Sequence, residues 1–316
     1  MDVLCLGETL TDIITRPVSQ VQLNNDSTCV EEIVFKTGGD ALNNSVDLAV
    51  IGNSVAYAGR IGSDFSGDFI MDSLRKAGVD VGHVVRSPSP HTKMNILIDS
   101  SGDRAFFYYP GASAEFSLED LDLNLLKQCR ILQLGSTFHL PRFDGALGAA
   151  SLLKLAQREG VLTSMDVTMD PTGRWNEILE PCYPYLDYFL PSVEQAELLA
   201  GTSNVEAMAD FFFAHGVKNL VIKLGSRGCF CRTADTAFYC SCYHVPVVET
   251  TGAGDAFVAG FLSGVLRQMS IEDCVRLGTA ASAHVIQCVG ANTGIRDLAT
   301  LQAFIAANPL EFQYLH

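Results

Sequence analysis

The chain has 316 residues, 48% apolar and 18% charged, which is enough apolar material for a sizeable core and too much for a disordered chain. Lys plus Arg number 21 against 36 for Asp plus Glu, a net charge of −15. That balance argues against nucleic acid or an anionic membrane as the main partner, because both need a strongly positive face.

The opening Asp2-Val3-Leu4-Cys5-Leu6-Gly7 predicts a short buried strand ending at a glycine. Met1 to Glu8 offers neither a basic segment nor an apolar run of export length, and ten cysteines fit reduced thiols, so a cytoplasmic protein is expected. Asp12, just beyond that strand, suits either a turn or the acceptance of a hydrogen bond from a hydroxyl. From 21 to 36, alternation such as Glu32-Ile33-Val34-Phe35-Lys36 predicts solvent-facing β structure. Thr37-Gly38-Gly39-Asp40-Ala41-Leu42-Asn43 then leads into a helix. Tandem glycines there expose backbone donors, and Asn43 falls in the first turn. Its amide both donates and accepts, which suits a sugar hydroxyl; a solvent-facing Asn is the plainer alternative.

Lys93 to Asp99, the turn Ser100-Ser101-Gly102-Asp103 and Arg104 to Tyr109 predict a hairpin. The two β-rich stretches, 13–36 and 90–112, predict a small sheet standing off the main body. Beyond Phe116 short apolar runs alternate with helical stretches: Ile131 to Leu134, Leu162 to Asp166, Tyr188 to Leu190 and Leu220 to Leu224, with helices such as 146–159 and 192–200 between them. That alternation predicts a mostly parallel sheet covered on both faces, with ligands at the carboxyl ends of its strands. Cys229-x-Cys231 and Cys240-x-Cys242 each put two thiols on one strand face and read as buried structural cysteines rather than a zinc site. Leu277 to Ile295 lacks charge but holds polar residues and three glycines, so a buried helix followed by a loop is predicted rather than a membrane span.

The strongest local pattern is Glu249-Thr250-Thr251-Gly252-Ala253-Gly254-Asp255-Ala256-Phe257, a glycine turn running into a helix whose apolar positions are Phe257, Phe261, Leu262, Val265 and Leu266. Free N–H groups and the dipole at that helix start make an anion site. Asp255, in the first turn, fits equally a helix-stabilising acid or a general base beside a transferring phosphoryl group. The chain has no P-loop pattern, and Phe257 stands where a dinucleotide-binding fingerprint wants a small residue.

Together these residues resemble the PfkB (ribokinase-like) family of carbohydrate and nucleoside kinases. Gly38 to Asn43 matches the first family motif and Thr251 to Phe257 the second; Gly59 to Gly67, Ala77 to Asp80, Pro110 to Ala112 and Leu224 to Gly228 follow in the family's order. The resemblance implies a ribokinase-like α/β fold: a three-layer αβα core with a mostly parallel sheet, a β-sheet lid over 13–36 and 90–112, and a homodimer formed through the lid. It implies phosphoryl transfer from ATP, with Mg2+, to a hydroxyl of a sugar. Asp255 maps onto the catalytic base, and Gly252, Ala253 and Gly254 onto the anion hole. Asp12, Gly38, Gly39 and Asn43 map onto acceptor-binding positions. Lys223, Gly225 and Gly228 map near the nucleotide, and Glu249 with the Thr251 carbonyl onto a monovalent-cation (K+) site.

The family's Asn-x-x-Glu, which organises Mg2+, is replaced by Ser192 and Gln195, with Glu194 alongside. Gly135-Ser136 stands where ribokinases carry an acidic sugar contact, which weighs against ribose. Arg104 reads either as a partner for an acceptor carboxylate or as a solvated hairpin residue. The expected acceptor is a fructose-like ketose or a 2-keto-3-deoxygluconate-like sugar acid. A nucleoside kinase of the same family and a catalytically weak sugar- or nucleotide-binding protein are the alternatives.

Overall fold

The computed structural model describes residues 1–18, 27–170 and 172–315. Part of the 13–36 stretch, residues 19–26, lies outside the described residues. In chain order the strands and helices are β1 (Val3–Leu6), β2 (Leu10–Arg16), β3 (Glu32–Gly38), α1 (Asp40–Ile51), β4 (Val55–Gly62), α2 (Phe65–Lys76), β5 (Asp80–Ser87), β6 (Lys93–Ile98) and β7 (Arg104–Tyr109). There follow β8 (Ile131–Thr137), α3 (Pro141–Gly145), α4 (Gly148–Arg158), β9 (Leu162–Val167), α5 (Trp175–Leu179), β10 (Tyr188–Phe189), α6 (Val193–Ala200), α7 (Val205–Ala214) and β11 (Asn219–Lys223). The chain ends with β12 (Cys229–Arg232), β13 (Ala237–Cys240), α8 (Ala253–Leu266), α9 (Ile271–Val285), α10 (Leu298–Ala307) and β14 (Phe312–Tyr314).

The main sheet runs in the order β14-β13-β12-β11-β10-β9-β8-β1-β4-β5. Its pairings are parallel from β5 through β11 and antiparallel from β11 to β14. Strand β1 shows why the apolar runs are continuous rather than alternating. Val3 and Cys5 point into a core with α1, α8 and α9, while Leu4 and Leu6 point into a second core with α4 and α7. A strand buried on both faces has no polar side to display. The layers are therefore helix, sheet, helix, as the alternation predicts.

Cys229 and Cys231 lie on β12 and Cys240 ends the adjacent β13, with Cys229 opposite Cys240. Cys242, expected on the same strand face, lies beyond the end of β13, is only partly buried and donates its thiol to the Ser226 carbonyl, because the chain leaves the sheet after Cys240. Cys229, Cys231 and Cys240 are free thiols buried in the core. The segment from Leu277 continues as α9 to Val285 and then as turns. No helix among the described residues is long and apolar enough to cross a membrane.

A separate four-stranded sheet has the order β3-β2-β6-β7. Strand β2 pairs antiparallel with β3 and parallel with β6, and β6 pairs antiparallel with β7. It starts at Leu10, earlier than the patterning suggests, so Asp12 lies inside a strand and not in a turn. Leu10 is buried and its neighbours are polar, so no alternation marks the start. Period-2 geometry puts Asp12, Ile14 and Arg16 on one face with Lys36, Val34 and Glu32 opposite them. On the other face Ile33, Phe35, Phe107 and Tyr109 are exposed.

Candidate active site

Two helix starts meet at the carboxyl ends of the strands. Helix α8 begins after Gly252, whose φ is 80° and whose added Cβ would lie 2.3 Å from the Ala291 carbonyl oxygen. Helix α1 begins after Gly39, with φ 94° and an added Cβ 2.6 Å from the Glu8 carbonyl oxygen. Only glycine satisfies both the left-handed backbone and the close approach at these points. Among the described residues the amides of Gly252, Gly254 and Asp255 donate to no protein acceptor, whereas Ala253 N–H donates to the Thr250 carbonyl at 3.2 Å. The helix start therefore offers an anion three amides, and the Ala253 amide expected in the anion hole is already engaged in the turn.

Asp255 is 9% exposed. Asn43 Nδ2 donates to its Oδ2 at 2.7 Å, and Asn44 Nδ2 lies 3.4 Å from its Oδ1. The side-chain oxygen of Asn43, Oδ1, is buried with no partner. Burial raises the Asp255 pKa well above the ordinary carboxylate value, and the nearby charges of Asp40 and Asp166 raise it further; Asn43 and Lys223 offset part of this. Asp40 is pushed to about 6 by burial and by Asp166. Lys223 Nζ donates to Asp166 Oδ2 at 2.6 Å and sits beside Gly254, whose added Cβ would lie 3.2 Å from that nitrogen. A carboxylate group with raised proton affinity beside unpaired amides is the arrangement a general base needs.

Three cavities surround this centre. One of about 360 Å³ is walled by Val245, Val247, Phe257, Ala283 and Ile286, with Lys223, Gly225, Gly228, Ala253 and Gly254 along it. A second, of about 320 Å³, shares Lys223, Gly225 and Gly254 with the first and adds Asp40, Asp166, Glu194, Gln195 and Asp255. The third, of about 270 Å³, lies between the small sheet and the segments around Glu249 and Gly290. It contains Asp12, Lys36, Arg104, Glu249 and Thr251. Asp12 Oδ2 would meet an added Cβ on Gly38 at 2.6 Å, so Asp12, Gly38 and Gly39 form a continuous edge leading to Asn43 and Asp255. Burial, then Glu8 and Glu249, push Asp12 to about 7. Arg104 is exposed at the rim.

A model of the pfkB carbohydrate kinase family matches residues 1–298. The chain belongs to the pfkB family of carbohydrate kinases. It is accordingly a phosphotransferase with a hydroxyl acceptor, a sugar kinase of ribokinase-like fold. A 2-dehydro-3-deoxygluconokinase of Bacillus subtilis is 28% identical to it over 85% of this chain and 86% of that protein. A ribokinase structure from Thermotoga maritima is 27% identical, with TM-score 0.84 over 96% of this chain and 99% of that one. A putative ribokinase II from E. coli, solved with ATP and Mg2+, shares the fold with TM-score 0.81 at 21% identity, over 97% of this chain and 99% of that one.

Ser192 and Gln195, which stand where the resemblance expects Asn and Glu, are occupied with each other and with the backbone. Ser192 caps α6: Gln195 N–H donates to Ser192 Oγ at 3.3 Å, and Ser192 N–H donates to Gln195 Oε1 at 2.7 Å. Gln195 Nε2 donates to the Val167 carbonyl at 2.6 Å. This capping box holds the Gln195 side chain at the helix start. Glu194, exposed, lines the carboxylate-rich cavity despite its offset along the helix.

Glu249 Oε1 accepts from the Thr251 hydroxyl at 2.7 Å, and its Oε2 accepts from Gly290 N–H at 2.9 Å. Both carboxylate oxygens at the expected monovalent-cation position are thus engaged by protein donors. Asp40, Asn44 and Asp166 were not among the residues singled out by sequence. Asp166 is the penultimate residue of a parallel strand, close to the carboxyl end where ligands bind in such sheets, and that rule is the signal the sequence offers.

Proposed function

We propose that this kinase transfers the γ-phosphoryl group of ATP to a hydroxyl of a small sugar or sugar acid, a fructose-like ketose or a 2-keto-3-deoxygluconate-like acid. The observation that carries the reading is the position of Asp255. It borders the carboxylate-rich cavity that joins the apolar one, and Asn43 ties it to the edge that opens on Asp12. The adenosine part of ATP fits the apolar cavity, with its phosphates running past Lys223 and Gly225 to the start of α8. The acceptor hydroxyl lies against Asp255, oriented by Asn43 and Asp12, with Arg104 at the cavity rim.

Asp255 takes the hydroxyl proton as the oxygen attacks phosphorus. The amides of Gly252 and Gly254 face the negative charge that spreads over the transferring group. Asp40, Asp166 and Glu194 border one cavity without forming a three-carboxylate cluster among the described residues, so Mg2+ would come with the nucleotide phosphates and find these oxygens beside it, with Lys223 taking one oxygen of Asp166. Mg2+ bound with the nucleotide would neutralise phosphate charge during transfer. A K+ ion held by Glu249 and the Thr251 carbonyl would use the lone pairs of Glu249 left free by the hydrogen bonds from Thr251 and Gly290.

The small sheet acts as a lid that excludes water from the transfer. Its exposed outer residues Ile33, Phe35, Phe107 and Tyr109 support a homodimer formed lid to lid, which light scattering tests. A coupled ADP-release assay over sugars, sugar acids and nucleosides, with Mg2+ and with or without K+, tests the whole reading. Turnover with a sugar or sugar acid supports it. Turnover confined to nucleosides changes the acceptor, and tight binding with no turnover makes the protein a binder rather than an enzyme.

A further inference from the structure

The acceptor cavity contains a cation that the protein leaves without a partner. Lys36 is half-buried, lines the cavity opposite Asp12 in the β2–β3 register, and has no hydrogen bond or ion pair among the described residues. Other half-buried lysines and arginines of this chain are supplied with acceptors. Arg60 meets Glu115 and Asp120, Lys93 meets Asp64, Lys223 meets Asp166, and Arg267 donates to Asn53 and the Ser263 carbonyl. An ammonium at a cavity wall with no protein acceptor keeps only the water of the cavity and is free to pair with an anion. In a chain with net charge −15, carboxylates are plentiful, and among the described half-buried lysines and arginines the omission falls on Lys36.

The acids that share the cavity do not fill the gap. Glu32 is held by Arg16 at 2.7 Å, and Glu249 by Thr251 and Gly290. Asp12 is pushed to about 7 by burial and by Glu8 and Glu249, so it holds a proton for much of the time near neutral pH. Arg104, at the far rim, also has no carboxylate partner among the described residues. It lies beside Ile98 in the row that ends with Arg16 and Glu32, on the order of 13 Å along the strands from Asp12. Ile14, Val34 and Ile96 line the space between and offer hydroxyls nothing to bond.

We propose that the acceptor is an anionic sugar, carrying a carboxylate or a phosphate ester, whose anionic group is held by Lys36 while Arg104 draws it in at the rim. The class is set by charge, since a neutral polyol would leave the ammonium unpaired. This rests on the sugar-kinase reading above and narrows it. The two sources of the anion, a sugar acid or a sugar phosphate, share the chemistry that Lys36 reads.

The test compares wild type with Lys36→Gln, Lys36→Arg and Arg104→Gln on matched sets: neutral hexoses and ketoses, their sugar acids, and their phosphate monoesters. Wild type is expected to prefer an anionic member. Lys36→Gln should raise KM for it about 10- to 100-fold, the weight of a charge-assisted hydrogen bond, with kcat held within about threefold. The KM ratio between that acceptor and its neutral analogue should fall correspondingly, and Lys36→Arg should recover part of it. Which set carries the effect tells carboxylate from phosphate.

A neutral sugar as the best acceptor overturns the proposal, and so does an equal KM change for charged and neutral acceptors. A loss in Arg104→Gln as large as that in Lys36→Gln overturns the seat assigned to Lys36. Absence of turnover with every acceptor is a different result, which overturns the kinase reading and this inference with it.

Discussion

Replacing Asp255 by Asn isolates the proton-accepting role from everything else that side chain does. The amide is nearly isosteric, and its oxygen can still accept from Asn43 Nδ2, now at 2.7 Å from the carboxylate. Its NH2 then faces Asn44 Nδ2, at 3.4 Å from the other oxygen, so one donor meets another at slight cost. Against that, the variant removes a buried carboxylate whose ionisation burial, Asp40 and Asp166 all oppose. Folding stability should therefore hold or rise, and a lost rate cannot be assigned to unfolding. With the base gone, kcat should fall about 10²- to 10⁴-fold, equivalent to about 3–5 kcal/mol of transition-state stabilisation. KM for ATP and acceptor should stay within about threefold, because uniform binding is untouched. Coupled ADP release gives the rates, and thermal unfolding of the same preparations gives the stability. A variant that is as stable as wild type and turns over within about tenfold of it would refute the general-base assignment.

Three further outcomes follow from the same geometry. Because burial, Asp40 and Asp166 hold the Asp255 pKa up, kcat/KM should lose activity with falling pH at values above the ordinary carboxylate range, and Asp40→Asn should move that limb to lower pH; a limb that stays put in Asp40→Asn separates the two groups. Gly252→Ala, with a Cβ 2.3 Å from Ala291 O, should cost on the order of 3 kcal/mol in denaturant unfolding. Gly160→Ala, at a similar φ but with nothing within 4 Å, should cost only about 1 kcal/mol, and equal losses would discredit the close-approach argument. Asp47, buried with one oxygen unpartnered and the other accepting from Asn292, has its pKa pushed from 3.8 to about 8. The folded state thus binds this proton more tightly than the unfolded chain, so the group favours folding at low pH and that advantage is lost as pH rises from about 4 to about 8. At pH 7 the ionisable group costs about 4 kcal/mol, so Asp47→Asn should melt higher than wild type at pH 8 with the gap closing toward pH 4. A constant gap would count against the shift.

Much of the architecture is legible in local patterns. The β1 run, the Lys93–Tyr109 hairpin and the glycine turn before α8 each rest on neighbouring residues, so periodicity and turn chemistry predict them. The start of the small sheet was missed because Leu10 and Asp12 lie in a half-buried strand with no clear alternation. The capping box at Ser192 and Gln195 was present in the spacing; only coordinates put the Gln195 amide on the Val167 carbonyl.

What the chain's letters determine is the placement of an anion-binding turn ahead of a helix and the order of strands and helices, because these are short-range consequences of backbone freedom and hydrophobic period. What tertiary structure alone decides is the company each charge keeps. Asn43 meets Asp255 across 212 residues, Lys223 meets Asp166 across 57, and Lys36 faces a cavity with no acid to spare. Proton affinity and ligand charge depend on distance and burial in space. The sheet order β9-β10-β11 and the approach of α1 to α8 set those distances, and nothing local in the sequence encodes them.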